Sequence, residues 1–352
     1  MPDFIHQLSD TIRAAADARR PLAIRGSGSK AFYGHAVSGE ALDVTGHRGI
    51  ISYEPTELVI TARTGTPLAE IEAVMRGQGQ LLGFEPPQFD GGGTLGGCIA
   101  AGLSGPRRAA AGSARDFVLG LRSLDGRGKD LSFGGQVMKN VAGYDVSRLI
   151  AGSLGTLGVI LEVSLKVLPL PPAELTLVQE HSQADALRLM NEWAGRPLPI
   201  TATCHADGKL YLRLAGAQAA VKAAAATLGG EMLADAETFW RELRDQRHGF
   251  FAGDTPLWRL SLRSTTAELA LPGAQLVEWG GALRWLRSDA DAMSIRKAAR
   301  AGEGHATLFR GGKPGTPVFH PLPAALMKLH KRVKQAMDPA GILNPGRMYP
   351  EL

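Results

Sequence analysis

The residues whose types and spacing could do chemistry lie in three short glycine-rich segments. Arg25-Gly26-Ser27-Gly28-Ser29-Lys30 places hydroxyls and bare backbone between two cations. Glycine tolerates φ > 0 and exposes its N–H, serine donates, and arginine and lysine supply charge, a combination that suits a phosphate. The second segment, Asp90 to Gly105, reads DGGGTLGGCIAAGLSG, and the third is Gly152-Ser153-Leu154-Gly155-Thr156-Leu157-Gly158. Successive N–H groups in such turns form a nest for an anion or a carbonyl oxygen, and Ser153 and Thr156 add hydroxyls. Each segment also has a plain structural reading: a solvated turn, tight helix–strand packing and a β-turn, in that order.

Gly91, Gly93 and Gly96 satisfy GxGxxG, and Asp116 follows twenty residues after the last of them. The Rossmann fingerprint is nonetheless rejected. It needs a buried strand immediately before it, and Phe84-Glu85-Pro86-Pro87-Gln88-Phe89-Asp90 cannot be one. The first segment is no P-loop, because GxxxxGK[ST] is absent. His181, His205, His248, His305, His320 and His330 show no HxH or HExxH spacing, so no metal site is expected. His305 and His320 are candidates for a general base as well as for structural histidines. Arg259, Arg263 and Arg310 could pair with a substrate carboxylate or brace the fold.

The elements that must position these segments follow from periodicity. Phe4, Leu8, Ile12 and Ala15 recur at helical spacing, in a helix ending before Pro21. Strands are expected at Pro21–Ile24, Ala41–Val44 and Leu58–Ala62. A helix follows, with Thr66 as its cap, Pro67 in its first turn and an apolar face of Leu68, Ile71, Val74 and Met75. Leu81–Leu82 is a short strand and Cys98–Ala101 a short helix. Leu121–Leu124, a turn over residues 125–128 and a return through Leu131 and Phe133 make a hairpin. From Val159 to Leu168, Val159, Leu161, Val163, Leu165 and Val167 form one apolar row of a strand that Pro169, Pro171 and Pro172 stop. Beyond it, strand, helix, two strands and helix from Leu175 to Leu228 suggest an α+β unit, with further strands at Trp258–Arg263, Leu276–Glu278 and Leu283–Leu286. Met293–Ala301 and Leu326–Met337 read as helices. On the latter, Lys328, Lys331, Arg332 and Lys334 read as a solvated face.

With 352 residues the chain is long enough for two cores. Its net charge of +5 comes without long runs of like charge and with only 6% aromatics, which sets nucleic acid aside and suits an anionic cofactor, substrate or acidic partner. Two distant cysteines, Cys98 and Cys204, offer neither a disulfide framework nor a cluster ligand set, as in a reducing cytoplasm. The N-terminus reads as an amphipathic helix rather than a signal peptide, and no eighteen-residue apolar stretch occurs, so any membrane contact is expected to be peripheral, on the inner face, or through partners.

The order of RGSGSK, GGGTLGGCIAAGLSG, SARDFVLGLRSLDGRGKDLSFGG, NVAGYD, GSLGTLGVILEVSLKVLP and DPAGILNPGRMY resembles the vanillyl-alcohol-oxidase/PCMH-type FAD-binding family. Within it, the smaller flavin-binding subunits of bacterial glycolate oxidases are the most similar. The resemblance implies an α+β, PCMH-type FAD-binding fold of two α+β subdomains over residues 1–170, an α+β cap over 171–335 and a segment, 336–352, returning to the flavin. It implies that Arg25, Gly26, Ser27, Gly28, Ser29 and Lys30 line the pyrophosphate. Gly92, Gly93, Thr94, Leu95, Gly96 and Gly97 would follow the diphosphate and ribityl chain. Ser113, Arg115 and Asp116 would approach the flavin side. Gly152, Ser153, Gly155, Thr156, Gly158, Val159 and Ile160 would meet the ring and adenine, with Asn344 and Arg347 near the isoalloxazine.

Departures from the family pattern shape the functional expectation. No histidine lies between Leu82 and Pro106, where many relatives attach the flavin, so FAD is expected to be non-covalent. Where catalytic relatives carry an HxxGDGNxH-like segment, Gly302–Arg310 holds one histidine. No catalytic residue is therefore assigned. The resemblance implies an FAD-binding subunit of a complex oxidising glycolate, a small 2-hydroxy acid, with a catalytic FAD-containing subunit and an iron–sulfur subunit as partners. A self-sufficient FAD-dependent 2-hydroxy-acid dehydrogenase and a flavin-free scaffold are the alternatives.

Overall fold

The computed structural model describes residues 2–89, 92–135, 145–313 and 315–352. Gly91 of the GxGxxG pattern, and the NVAGYD motif apart from Asp145, lie outside them. The helix Pro2–Asp17 packs Leu8, Ile12 and Ala15 against Leu22, Leu42 and Val44. Beneath it Leu22–Arg25 and Glu40–Asp43 pair in parallel. A parallel pair cannot be closed by a tight turn, so residues 26–39 must cross over, and this crossover carries the first glycine-rich segment. The far edge of Leu22–Arg25 is taken by the chain's end: Leu22 donates to the Ile342 carbonyl at 2.7 Å, and Asn344 donates to the Leu22 carbonyl at 3.0 Å.

Next to this pair stands a five-stranded antiparallel sheet in the order Ile50–Glu54, Val59–Arg63, Val159–Lys166, Val118–Leu124, Asp130–Gly134. Val159–Lys166 is central, and its expected single apolar row is not what forms. Its ladder with Val118–Leu124 slips between Arg122/Ser123, pairing these with Glu162 and Ile160 and leaving Leu161 without a partner there. A bulge of this kind shifts the strand's faces. Val159 and Leu161 accordingly belong to the core under the first helix, whereas Ile160, Val163, Leu165 and Val167 belong to the core under the helices Leu68–Arg76 and Leu95–Ala101.

Two local expectations are corrected. Thr66 does not cap Leu68–Arg76; its hydroxyl accepts the Gly49 N–H at 2.8 Å, and Pro67 occupies the cap. The small-residue helix begins at Leu95 rather than Cys98, because Thr94 caps it by accepting the Gly97 N–H at 3.3 Å.

Among the described residues, strands between Ala173 and Arg310 form an eight-stranded antiparallel sheet, with His305–Arg310 at one edge. One face packs on the helices Gln183–Ala194 and Gln218–Leu228. From the other face Trp279, Trp285 and Phe309 join Tyr33, Ala101, Leu103 and Leu154, so this sheet covers the glycine-rich loops. The part-buried Glu85 carboxylate fixes the contact, pairing with Arg107 at 3.3 Å and with Arg213 of the second sheet at 2.9 Å.

The long helix Ala324–Met337 departs from the expected solvated face at Lys334, which is 7% exposed. Its ammonium donates to the Thr156 and Leu343 carbonyls at 2.8 and 2.7 Å and to Asp338 at 2.7 Å.

Candidate functional site

A cleft of about 440 Å³ opens where the crossover, the small-residue helix, the third glycine segment and the returning C-terminus converge. Of the residues expected from sequence, Arg25, Gly26, Ser27, Gly28, Ser29, Lys30, Gly96, Gly97, Gly155, Gly158, Ile160, Asn344 and Arg347 line it. Leu154, within the third glycine segment, also lines it, and Ala23, Ile24, Ala31, Ala36, Val37, Val44, Ala100 and Ala101 complete the walls without having been assigned from sequence. Small apolar residues inside a strand or helix look like ordinary core in a sequence. The run Ile99–Ala101, directly after the glycines, was the one available signal.

A second group stands behind the lining. Ser27 donates to the Gly92 carbonyl at 2.8 Å, and Leu68 to the Gly93 carbonyl at 2.8 Å, tying the first two glycine segments to each other and to a helix. Thr94 caps the helix in which Leu95 is buried. Gly152 donates to the Ile99 carbonyl, Thr156 to the Ser153 carbonyl at 2.7 Å, and Val159 lies in the core. Ser113, Arg115 and Asp116 are not brought into the cleft. Ser113 and Asp116 cap the turn Ala114–Phe117, with Ser113 Oγ donating to Asp116 at 2.6 Å, and Arg115 is exposed.

The glycines divide by what a side chain would meet. A Cβ on Gly26 would come 2.7 Å from Thr94 Oγ1 and one on Gly96 2.7 Å from Thr64 Cβ, so these two are demanded by packing within the protein. At Gly28, where φ is +79°, a Cβ would meet no protein atom within 4 Å. Its backbone instead faces the open cleft, as close approach of a ligand requires.

Polar groups at the floor are already engaged. Asn344 accepts the Ile24 N–H at 2.8 Å and donates to the Leu154 carbonyl at 2.7 Å, bracketing the cleft from both sides. Arg347 donates to the carbonyls of Ala31 and His35 at 3.0 and 2.8 Å and so holds the crossover loop. Burial lowers the Lys30 pKa, and its ammonium sits 5.4 Å from the Phe89 ring. Burial pushes the Cys98 thiol up to about 12, which makes it inert. The exposed Arg25, the part-buried Lys30, bare N–H groups and small apolar walls suit a long ligand with anionic and flat apolar parts.

The other sequence candidates lie elsewhere. His205 is buried, with its Nε2 2.9 Å from the His181 carbonyl. His320 accepts the Ala306 N–H, and His305 pairs with Ser261 at the sheet edge. Arg263 pairs with Glu303, Arg310 lies 4.3 Å from the Phe32 ring, and Arg259 lies 5.2 Å from the Trp279 ring. No group of three metal-ligating side chains occurs among the described residues.

A family model for an FAD binding domain matches residues 1–134. Glycolate oxidase subunit GlcE of Escherichia coli (strain K12) is 51% identical over 350 residues, covering 99% of each chain. Glycolate oxidase subunit GlcD of Bacillus subtilis (strain 168) is 29% identical over 194 residues, 53% of this chain and 41% of that one. A solved structure of alkyldihydroxyacetonephosphate synthase superposes with a TM-score of 0.65 at 15% identity, covering 97% of this chain and 74% of that one. The fold is thus the PCMH-type α+β fold.

Proposed function

This chain belongs to the glycolate oxidase subunit GlcE family, and we propose that it holds FAD non-covalently in the cleft as a flavin-bearing subunit of a glycolate-oxidising complex. The observation that carries this is the convergence of residues 23–31, 96–101, 154–160 and 344–347 on one cleft whose walls are bare backbone and small apolar side chains. When bound, FAD would supply a redox centre able to take up electrons released as the complex converts glycolate to glyoxylate.

The protein's residues bind and orient. Arg25, Ser27, Ser29 and Lys30 offer charge and hydroxyls to the pyrophosphate, and Gly28 leaves room for it. Gly96 and Gly97 continue this wall from the capped helix. Leu154 to Ile160 present backbone, with Ala100, Ala101 and Leu154 excluding water from the flat part of the cofactor. Asn344 and Arg347 act by holding the walls, since their polar atoms are engaged by the protein. Ser113, Arg115 and Asp116 act at a distance, through the turn they fix. In this division residues 1–170 bind the cofactor, 171–335 cap it and 336–352 close the cleft.

In this reading electrons leave the chain through partners, a catalytic FAD-containing subunit and an iron–sulfur subunit, since its two buried, separate cysteines offer no cluster ligand set of their own. No described helix is long and apolar enough to cross a membrane. In this reading the chain works in the cytoplasm and meets the inner face of the membrane peripherally or through partners.

An anaerobic visible spectrum of the purified chain, taken before and after glycolate, tests this. Flavin absorbance that stays oxidised until the partner flavoprotein is added is the expected result. Bleaching by glycolate alone would make the chain a self-sufficient dehydrogenase, and a colourless chain that cannot be reloaded with FAD would make it a scaffold.

A further inference from the structure

A second cavity, of about 420 Å³, lies between the first helix and the five-stranded sheet, and none of the residues lining it lines the cofactor cleft. Ile5 and Leu124 give it an apolar patch, and most of the rest is polar or charged. The sheet's register sets the charges: Glu162 stands opposite both Arg63 and Arg122 on the neighbouring strands. Arg122 takes both carboxylates of the wall, Glu162 at 2.8 Å and Asp130 at 2.7 Å. Arg63 is left over. It makes no ion pair among the described residues, and its guanidinium reaches only the Arg48 carbonyl, at a long 3.4 Å.

His47 lines the same cavity and is also unsatisfied. It is 2% exposed and stacked on the Phe4 ring at 5.9 Å, yet neither of its ring nitrogens has a partner among the described residues. Burial, helped by the charges of Arg63 and Arg122 and opposed by Glu162, lowers its pKa, so the neutral ring holds one N–H and one acceptor nitrogen. A buried polar ring without partners is costly, and a ligand in the cavity would supply them. An oxyanion would accept from the Arg63 fork and the His47 N–H. A tetrahedral phosphate has a further oxygen for Arg13, which enters the wall from the helix. The Glu162 and Asp130 carboxylates are acceptors in the same wall, where hydroxyl groups suit them.

We propose that this cavity binds a sugar phosphate, with the phosphate at Arg63 and His47 and the hydroxyls toward Glu162 and Asp130.

The test is calorimetric titration of the purified full-length chain with ribose 5-phosphate, with FAD content read separately from visible absorbance. Saturable binding is expected, tighter than that of inorganic phosphate. Arg63→Gln and His47→Phe should each weaken it by about tenfold or more, the loss of one charge-assisted contact, and Arg63→Lys should restore part of it. Arg25→Gln, in the cofactor cleft, should leave it unchanged. His47→Phe keeps a ring against Phe4 and removes the unpartnered nitrogens, so its melting temperature should not fall, which separates lost binding from lost fold. Absence of binding, variants at Arg63 and His47 that bind as the parent does, or binding that falls with Arg25→Gln instead would overturn the site. Inorganic phosphate binding as tightly as ribose 5-phosphate would overturn the assignment to a sugar phosphate.

Discussion

Lys334 and Asp338 form a 2.7 Å ion pair one helical turn apart, with side chains 9% and 0% exposed. The same ammonium reaches the Thr156 and Leu343 carbonyls, and the same carboxylate accepts the N–H groups of Ile342 and Leu343 at 3.2 and 2.8 Å. One pair thus joins the long helix, the third glycine segment and the returning C-terminus, all of which shape the cleft.

Removing one member of such a pair leaves a buried charge and costs about 3–5 kcal/mol. Asp338→Ala is expected to lower the urea-unfolding free energy by about that much, and the double change Lys334→Met/Asp338→Leu to recover little of it, because the Thr156 and Leu343 carbonyls and the Ile342 and Leu343 N–H groups lose their partners as well. An unchanged midpoint for Asp338→Ala would show that the pair does not hold the C-terminus.

Asn344→Ala strips partners from the Ile24 N–H and the Leu154 carbonyl, a loss on the order of 3 kcal/mol for two buried groups. At Gly155 a Cβ would come 2.7 Å from Asn344 Nδ2, so Gly155→Val should act through Asn344 and lower FAD affinity as well as stability. Equilibrium dialysis against FAD beside thermal melts checks both effects.

Gly28 makes the opposite case. With φ at +79° and open space around it, a larger residue there pays only the backbone penalty of about 1–2 kcal/mol in the free protein. Gly28→Leu should therefore leave apoprotein melting little changed and reduce FAD affinity by more than tenfold. Equal affinity would remove Gly28 from the cofactor's path.

Glu278 ties stability to pH. Its folded pKa of about 7 lies above its ordinary 4.5, so the stability it contributes is fully present below about 4.5 and is lost as pH rises through about 7, a change of about 3 kcal/mol. Glu278→Gln keeps an acceptor for Trp285 without the titration. It should gain on the parent at pH 8 and match it near pH 4, which urea unfolding across that range would reveal.

How much of this was legible in the sequence differed by element. Long periodic helices and the hairpin around residues 125–128 were readable because one face of each is apolar. The edge strand Ile50–Glu54, half-buried and without an apolar run, and the polar helix Ala236–Arg244, which buries only Trp240 and Leu243, were missed. Lys334 looked solvated because its neighbours are, and its three oxygen partners come from its own helix end, the third glycine segment and the returning chain, which only the tertiary fold brings together. The glycine segments were visible as unusual backbone. That Gly26 and Gly96 accommodate Thr94 and Thr64, whereas Gly28 faces open space, depends on contacts no spacing encodes.

The most direct test of the central claim is titration of the flavin-free chain with FAD, followed by acid precipitation of the complex. Saturation at one FAD per chain, with all flavin released to the supernatant, is the expected result. Failure to saturate, or flavin that stays with the precipitate, would contradict a non-covalent cofactor in this cleft.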